Sequence, residues 1–279
     1  MNLIFKKGVL LKINIAFMFY VFYFFLLTFN LSFSYAQDSL NVKWSGSCLG
    51  NNARKVAFGE IGGNSYLFIF QHGSILVLDV NDPANPQKVV EIGNPGEPGQ
   101  GWIGGLAVVD TFLYIAIGPY GLWIYNVANP YAPVRTGTCD TENACGVAVS
   151  GDYAYVADLD SGLVIIDISQ PSAPIKVSSL YLEGSAKDVA VSDTFAYVAA
   201  QKLQIVNIAN PLSPSLIGTW NPHGSNDYVI QVAVQGNFVY LANWGGSWAK
   251  KTKFSYIPTS KGLAGLETLT ILIVCISAT

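Results

Sequence analysis

Charge is scarce in this chain. Asp, Glu, Lys and Arg together make up 12% of its 279 residues. Setting aside Lys6, Lys7 and Lys12 near the start, twelve basic side chains face eighteen acidic ones, with no large basic patch. That balance excludes a nucleic-acid surface and offers nothing to an anionic membrane. Histidine is nearly absent: His72 and His223 stand alone. Cysteine occurs four times, as Cys48, Cys139, Cys145 and Cys275, and no CxxC pair exists. Neither a metal site nor a cofactor is therefore expected. Long amphipathic periods of helical spacing are missing too, which excludes the common helical repeats. What the chain has in quantity is 27 Gly, 13 Pro, 15 Tyr and 15 Phe. That mixture suits many short strands joined by turns.

Residues 1–36 read as a targeting segment. Lys6, Lys7 and Lys12 precede an apolar run from Ile13 to Leu31, and Ser34 and Ala36 are small residues ahead of a cut before Gln37. A cleaved signal peptide is expected, although the run is also long enough for an uncleaved anchor. Either way the lysines stay inside and residues 37–279 are exported, to the medium or the cell surface. Export permits disulfides. Cys139 and Cys145, in TCDTENAC, are spaced to staple one loop. A Cys139–Cys145 bridge is one expectation, and buried thiols are the other.

One phrase recurs. SILVLDVNDPANP begins at Ser74, GLWIYNVANPYAP at Gly121, GLVIIDISQPSAP at Gly162 and KLQIVNIANPLSP at Lys202. The first prolines, Pro83, Pro130, Pro171 and Pro211, lie 47, 41 and 40 residues apart. A second phrase keeps step with it: NSYLFIF, TFLYIA, GDYAYVA, DTFAYVA and GNFVYLA. Five residues before its first aromatic stands an Ala in an apolar trio: Ala107, Ala148, Ala190 and Ala233. In the first copy Ala57 is nine residues ahead of Tyr66, an insertion of four. A further run follows the prolines, as in VRTGTC and SLIGTW.

Each unit thus holds four short apolar runs separated by turn residues. In the second run Tyr153 and Tyr155 share one face and Ala154 and Val156 the other, the alternation of a strand. The third run is almost wholly apolar, as in a strand covered on both faces. Four strands per unit of this length predict an all-β fold, a β-propeller of four-stranded blades over residues 37–279. The polar residue ending the third run has a local explanation. Asp79, Asn126, Asp167 and Asn207 can accept from the amides that follow and so start a turn. The two prolines beyond withhold N–H groups and stop the strand. A catalytic carboxylate is needed once, whereas a turn former is needed in every unit.

Closure is read from the two ends. VKWSGSC, from Val42, has the form of a fourth strand with no sheet before it. ILIVCISAT, from Ile271, has the form of a third strand with none after it. Together they would complete a fifth blade and remove the open edges. Five blades with N-terminal strand closure are expected, and the alternative is an incomplete longer propeller. The last copy is atypical from about residue 245: it carries about twenty-seven extra residues and has Cys275 where an Asp or Asn stands elsewhere.

The stretch from Gly151 to Pro174, GDYAYVADLDSGLVIIDISQPSAP, resembles the LVIVD repeat family, whose namesake strand is echoed by Leu163 to Asp167. The likeness covers nearly all of residues 42–244. It implies a β-propeller on exported or cell-surface proteins. The family has no general catalytic motif, so the resemblance implies no catalytic residue.

Propeller geometry puts the first–second and third–fourth turns on one face and the remaining connections on the other. The first set is short and uniform here. The second varies, and varied loops on a rigid scaffold are where recognition sits. The candidate binding residues on that face are His72, Trp102, Tyr120, Asp158, Asp160, Asp188, His223, Asp227, Trp244 and Trp248. Aromatic rings beside carboxylates suit a sugar or a peptide. The expected function is a secreted or cell-surface, non-catalytic propeller that binds a protein or glycan, with membrane contact only through an uncleaved N-terminal segment. A polysaccharide hydrolase or lyase would instead need convergent carboxylates, with Asp188 and Asp227 as the candidates. A structural or truncated repeat protein is the third reading.

Overall fold

Ala107 faces Tyr114 across a two-stranded ladder, and the same pairing recurs as Ala148–Tyr155, Ala190–Tyr197 and Ala233–Tyr240. A small side chain beside a large one on adjacent strands fills the surface without a clash. The computed structural model describes residues 2–4, 10–12, 55–71, 73–93, 103–221, 227–235, 238–245, 255–256 and 270–274. No helix occurs among them, and none is therefore long and apolar enough to cross a membrane.

The chain divides into two compact units, Met1–Gly93 and Asn94–Thr279. In the first, Lys55–Ile61, Asn64–Gln71, Ser74–Asp79 and Gln87–Ile92 form a four-stranded antiparallel sheet in chain order. Two short strands of the N-terminal segment, Asn2–Ile4 and Leu10–Lys12, pair separately. The second unit repeats the four-stranded sheet three times. Its strands are Ile103–Val109, Phe112–Ile117, Leu122–Asn126 and Val134–Cys139; then Ala144–Ser150, Tyr153–Asp158, Gly162–Asp167 and Ile175–Leu180; then Asp188–Ser192, Phe195–Ala200, Lys202–Asn207 and Ser215–Trp220. Within this unit the first strands of successive sheets lie side by side, as innermost strands of propeller blades do.

The first and second strands of each blade meet in two-residue turns. Asp110, Gly151 and Asp193 open these turns at φ 52°, 55° and 52°, the left-handed backbone that tight hairpins require. In the first unit Ile61 pairs with Asn64 around Gly62 and Gly63, and Ala57 pairs with Phe68. The four-residue insertion is thus two extra residues on each strand, and the turn stays tight.

Both faces of the regular blades are buried. In the blade of residues 144–180, Val156, Val164 and Ile166 pack with Leu122 and Ile124 of the preceding sheet. On its other face Tyr155, Leu163 and Ile165 pack with Val189, Ala196 and Val198 of the next. This is why the third strand carries no polar side chain until Asp167. Truncating Ile165, which is fully buried, to Ala would cost about 2–5 kcal/mol.

The last sheet departs from the pattern. Asp227–Gln235 and Phe238–Gly245 form the expected hairpin, and Thr270–Val274 takes the third position. It runs parallel to Phe238–Gly245, with Val239 opposite Ile271, whereas every third strand elsewhere is antiparallel to its second. The fourth position is filled by Ser255–Tyr256, from the extra residues of this copy. The strand expected to close the ring, Val42 to Cys48, lies outside the described residues. A parallel neighbour needs a crossover of a dozen or more residues, and the insertion between residues 245 and 270 is long enough to supply one.

Candidate functional site

The varied connections gather at the end of each blade where the second strand stops. In the second unit three of these turns are stitched to the next blade by backbone bonds. Gly118 and Ala144 exchange bonds of 2.9 and 2.8 Å, Ala186 N–H donates to Leu159 at 2.9 Å, and Val229 N–H donates to Gln201 at 2.9 Å. Gly118, Leu159 and Gln201 hold one repeat position, at φ 36°, 20° and 61°. For Leu and Gln this left-handed backbone is strained, and the bond to the neighbouring blade holds it in place.

The structure gives the candidate residues different tasks. Tyr120 is half-buried, with its ring edge-on to Trp123 at 6.3 Å between centroids, and its carbonyl accepts from the Trp123 indole. Asp160 is exposed at the next turn, where Ser185 Oγ donates to it at 3.4 Å. Asp188 lies on an innermost strand, and its Oδ2 accepts from the Val232 amide of the following blade at 3.1 Å. Asp158 is not a surface residue: it is wholly buried, which corrects its place among exposed ligand contacts. Asp227 and Trp244 flank the last hairpin, opposite Gly245 and Tyr228 respectively. His72, Trp102, His223 and Trp248 lie outside the described residues.

Around Asp158 the loop of residues 140–143 closes over the strand end. Asn143 N–H donates to Asp158 Oδ1 at 2.6 Å, and Ser161 Oγ donates to Glu142 Oε2 at 2.9 Å. Asp158 Oδ2, Asn143 Oδ1 and Thr141 Oγ1 are shut off from solvent and have no hydrogen-bond partner. Among the described residues no three His, Cys, Asp or Glu side chains are grouped to hold a metal.

The same loop carries the two cysteines, and no disulfide joins them: Cys139 and Cys145 are buried thiols. Cys139 pairs with Leu122 on the outer edge of one sheet, while Ala144 bridges Gly118 two strands further in. The loop thus crosses about three strand spacings, ~14 Å. A disulfide tolerates only about 7 Å between Cα atoms. Burial pushes the Cys139 thiol up, the bond it makes to the Lys176 backbone opposes this, and the thiol form is favoured.

The opposite face is uniform. Asp79, Asn126, Asp167 and Asn207 each accept from the amide two residues on, at 2.9, 2.8, 2.9 and 2.9 Å. Asp82, Asn129 and Asn210 repeat the arrangement three residues later. The Ser169 hydroxyl and then its amide hold Asp167 below the usual carboxylate range. The proline turn also seats on the preceding blade. Ser178 Oγ donates to the Pro211 carbonyl at 2.6 Å. Gly137 stands at the same repeat position, where an added Cβ would run into the Pro171 carbonyl. An open groove of about 290 Å³ beside this seat is lined by Arg135, Thr136, Thr138, Ser172 and Pro174. Arg135 itself lies over the Trp123 ring at 4.4 Å.

The LVIVD repeat profile matches residues 100–141, 143–181, 183–221 and 228–248, half of the chain. The chain belongs to the LVIVD repeat family. Each of the first three family repeats coincides with one four-stranded sheet, from innermost to outermost strand. The sheet of residues 55–92 has the same strand order and lies ahead of the matched region. No curated protein matches this LVIVD-repeat chain. Among solved structures it is similar to the computationally designed Ika8 protein, at 14% identity and a TM-score of 0.47, over 66% of this chain and 54% of that one.

Two exposed aromatics of this LVIVD protein escape sequence reasoning. Tyr181 and Tyr228 are 75% and 42% exposed at the varied-loop end. Tyr181 follows the strand Ile175–Leu180, and Tyr228 is the second residue of Asp227–Gln235. Gln204 was also missed: it is fully buried, and its amide donates to the Glu183 carbonyl at 2.6 Å. A polar residue inside the apolar third strand, in KLQIVN, was the available signal.

Proposed function

We propose that this LVIVD-repeat propeller is an exported, non-catalytic binding protein whose varied-loop face takes a protein or glycan partner at the cell surface. The observation that carries this reading is the contrast between the two faces. One face repeats a single Asx–proline turn, whose Asp and Asn side chains are spent on the turn itself. The other changes from blade to blade: Tyr120 in one, Asp160 and the exposed Tyr181 in the next, and the Lys202–Glu183 ion pair at 3.0 Å in the third. Exposed rings beside acids and hydroxyls suit a sugar or a peptide.

The test is a glycan array and a cell-surface pull-down with the full chain. Replacing Tyr120, Asp160 and Tyr181 together by Ala lowers binding at least tenfold. Replacing the exposed Tyr131 and Leu212 of the proline turns leaves it unchanged. Binding that follows the second pair, or cleavage of a captured polysaccharide, overturns the reading.

A further inference from the structure

Asp158 poses a problem that the fold does not create. Its repeat position, the last of the second strand, is held by buried Ile117 and Ala200 in the neighbouring blades. A blade therefore needs nothing polar there. Burying a carboxylate costs far more than burying a methyl group unless something compensates the charge. Asn143 N–H compensates Oδ1, but Oδ2 has no partner and no contact with solvent. Neither ion pair of the described residues involves it.

The surrounding groups make the deficit larger. Asn143 Oδ1 and Thr141 Oγ1 belong to the loop that caps Asp158, and each atom is shut off from solvent with no hydrogen-bond partner. Asp140, Glu142 and Asp160 add negative charge nearby on exposed positions. Asp158 Oδ2 and Asn143 Oδ1 can only accept, and the Thr141 hydroxyl has lone pairs free, so a positive centre would serve all three oxygens.

We propose that Asp158, Asn143 and Thr141 bind a hard divalent cation of the calcium type beneath the loop of residues 140–143. Calcium takes oxygen ligands in flexible geometry and accepts neutral oxygens beside a carboxylate. Magnesium demands near-ideal octahedral geometry, which a three-oxygen loop site does not impose. With a single charged ligand the affinity falls at the weak end of the range, on the order of 10⁻⁴–10⁻³ M, where extracellular modules operate. Cation binding would tie the outer edge of one blade to the second strand of the next. A disulfide could not do so, because Cys139 and Cys145 are too far apart. The site stands independently of the binding role proposed above.

The experiment uses the full chain, treated with chelator and then titrated with CaCl₂ by calorimetry and thermal unfolding, with MgCl₂ in parallel. Calcium binds with a midpoint of about 0.1–1 mM and raises the melting temperature, and magnesium does so at least tenfold less effectively. Asp158→Asn keeps the acceptor for Asn143 and abolishes the calcium shift. Asn143→Asp adds a second charge and tightens calcium at least tenfold, which keeps the proposal testable if the first variant fails to fold. The proposal is overturned if calcium gives neither heat nor a shift up to about 10 mM. It is equally overturned if Asp158→Asn raises the melting temperature while calcium leaves the wild-type chain unchanged.

Discussion

The Ser178 hydroxyl donates to the Pro211 carbonyl at 2.6 Å, tying the outer strand of one blade to the proline turn of the next. Gly137 meets the equivalent Pro171 carbonyl with no side chain at all. The proline phrase thus ends a strand in every copy, and at Pro171 and Pro211 it also seats against the outer strand of the blade before.

Gly137 and Gly218 share that repeat position, yet their surroundings differ. A Cβ at Gly218 would meet only Ile205 Cδ1, at 3.9 Å, among the described residues. Gly137→Ala is expected to cost about 1–3 kcal/mol through overpacking. Gly218→Ala stays within about 0.5 kcal/mol. Thermal unfolding of both variants checks the difference, and equal melting temperatures would refute the seat at Gly137.

Asp167 shows which feature of its side chain matters. Asn does the same work at Asn126 and Asn207. Asp167→Asn is therefore expected to be nearly neutral, whereas Asp167→Ala loses the bond to the Ser169 amide and is less stable. The folded-state pKa is lowered by Ser169. Its stabilising contribution is thus present above the unfolded value and fades as pH falls through the folded one. Acid titration of both variants by circular dichroism tests this.

Tyr197 sets a limit on alkaline stability. Burial, with the Asp193 charge second, pushes its hydroxyl up from 10.0 to about 12. Burial raises Tyr114, Tyr155 and Tyr240 in the same direction. A raised folded pKa gives stability that is complete below the unfolded value and lost as pH climbs toward the folded one. Unfolding between roughly pH 10 and 12 is expected to coincide with tyrosinate absorbance. Tyr197→Phe makes that loss shallower. An unchanged alkaline profile in the variant would contradict the assignment.

Asp188 separates stability from catalysis. Its carboxylate accepts from the Val232 amide and links two innermost strands. Asp188→Ala leaves that amide without this acceptor and is expected to cost about 1–3 kcal/mol, while Asp188→Asn retains an acceptor and costs less. A catalytic carboxylate would show the opposite pattern, with Asn as damaging to activity as Ala. Urea unfolding beside a polysaccharide-cleavage assay distinguishes the two.

Sequence alone determined the four-strand unit, its repeat length and the Asx–proline turn. Each rests on contacts within a few residues of chain: alternation along a strand, a carboxylate reaching an amide two positions on, a proline that cannot donate. Only the tertiary structure decided that Asp158 is buried while Asp160 is exposed, since both are acidic turn-side residues in one short phrase. It also decided that Ser178 meets Pro211 and Asp188 meets Val232, thirty-three and forty-four positions apart along the chain. The last sheet shows the boundary between the two. Residues 270–274 have a third strand's composition and take a third strand's place, but composition carries no direction. Which way a strand runs depends on how the chain returns to the sheet, and that is settled by the connection and the neighbouring strand in space.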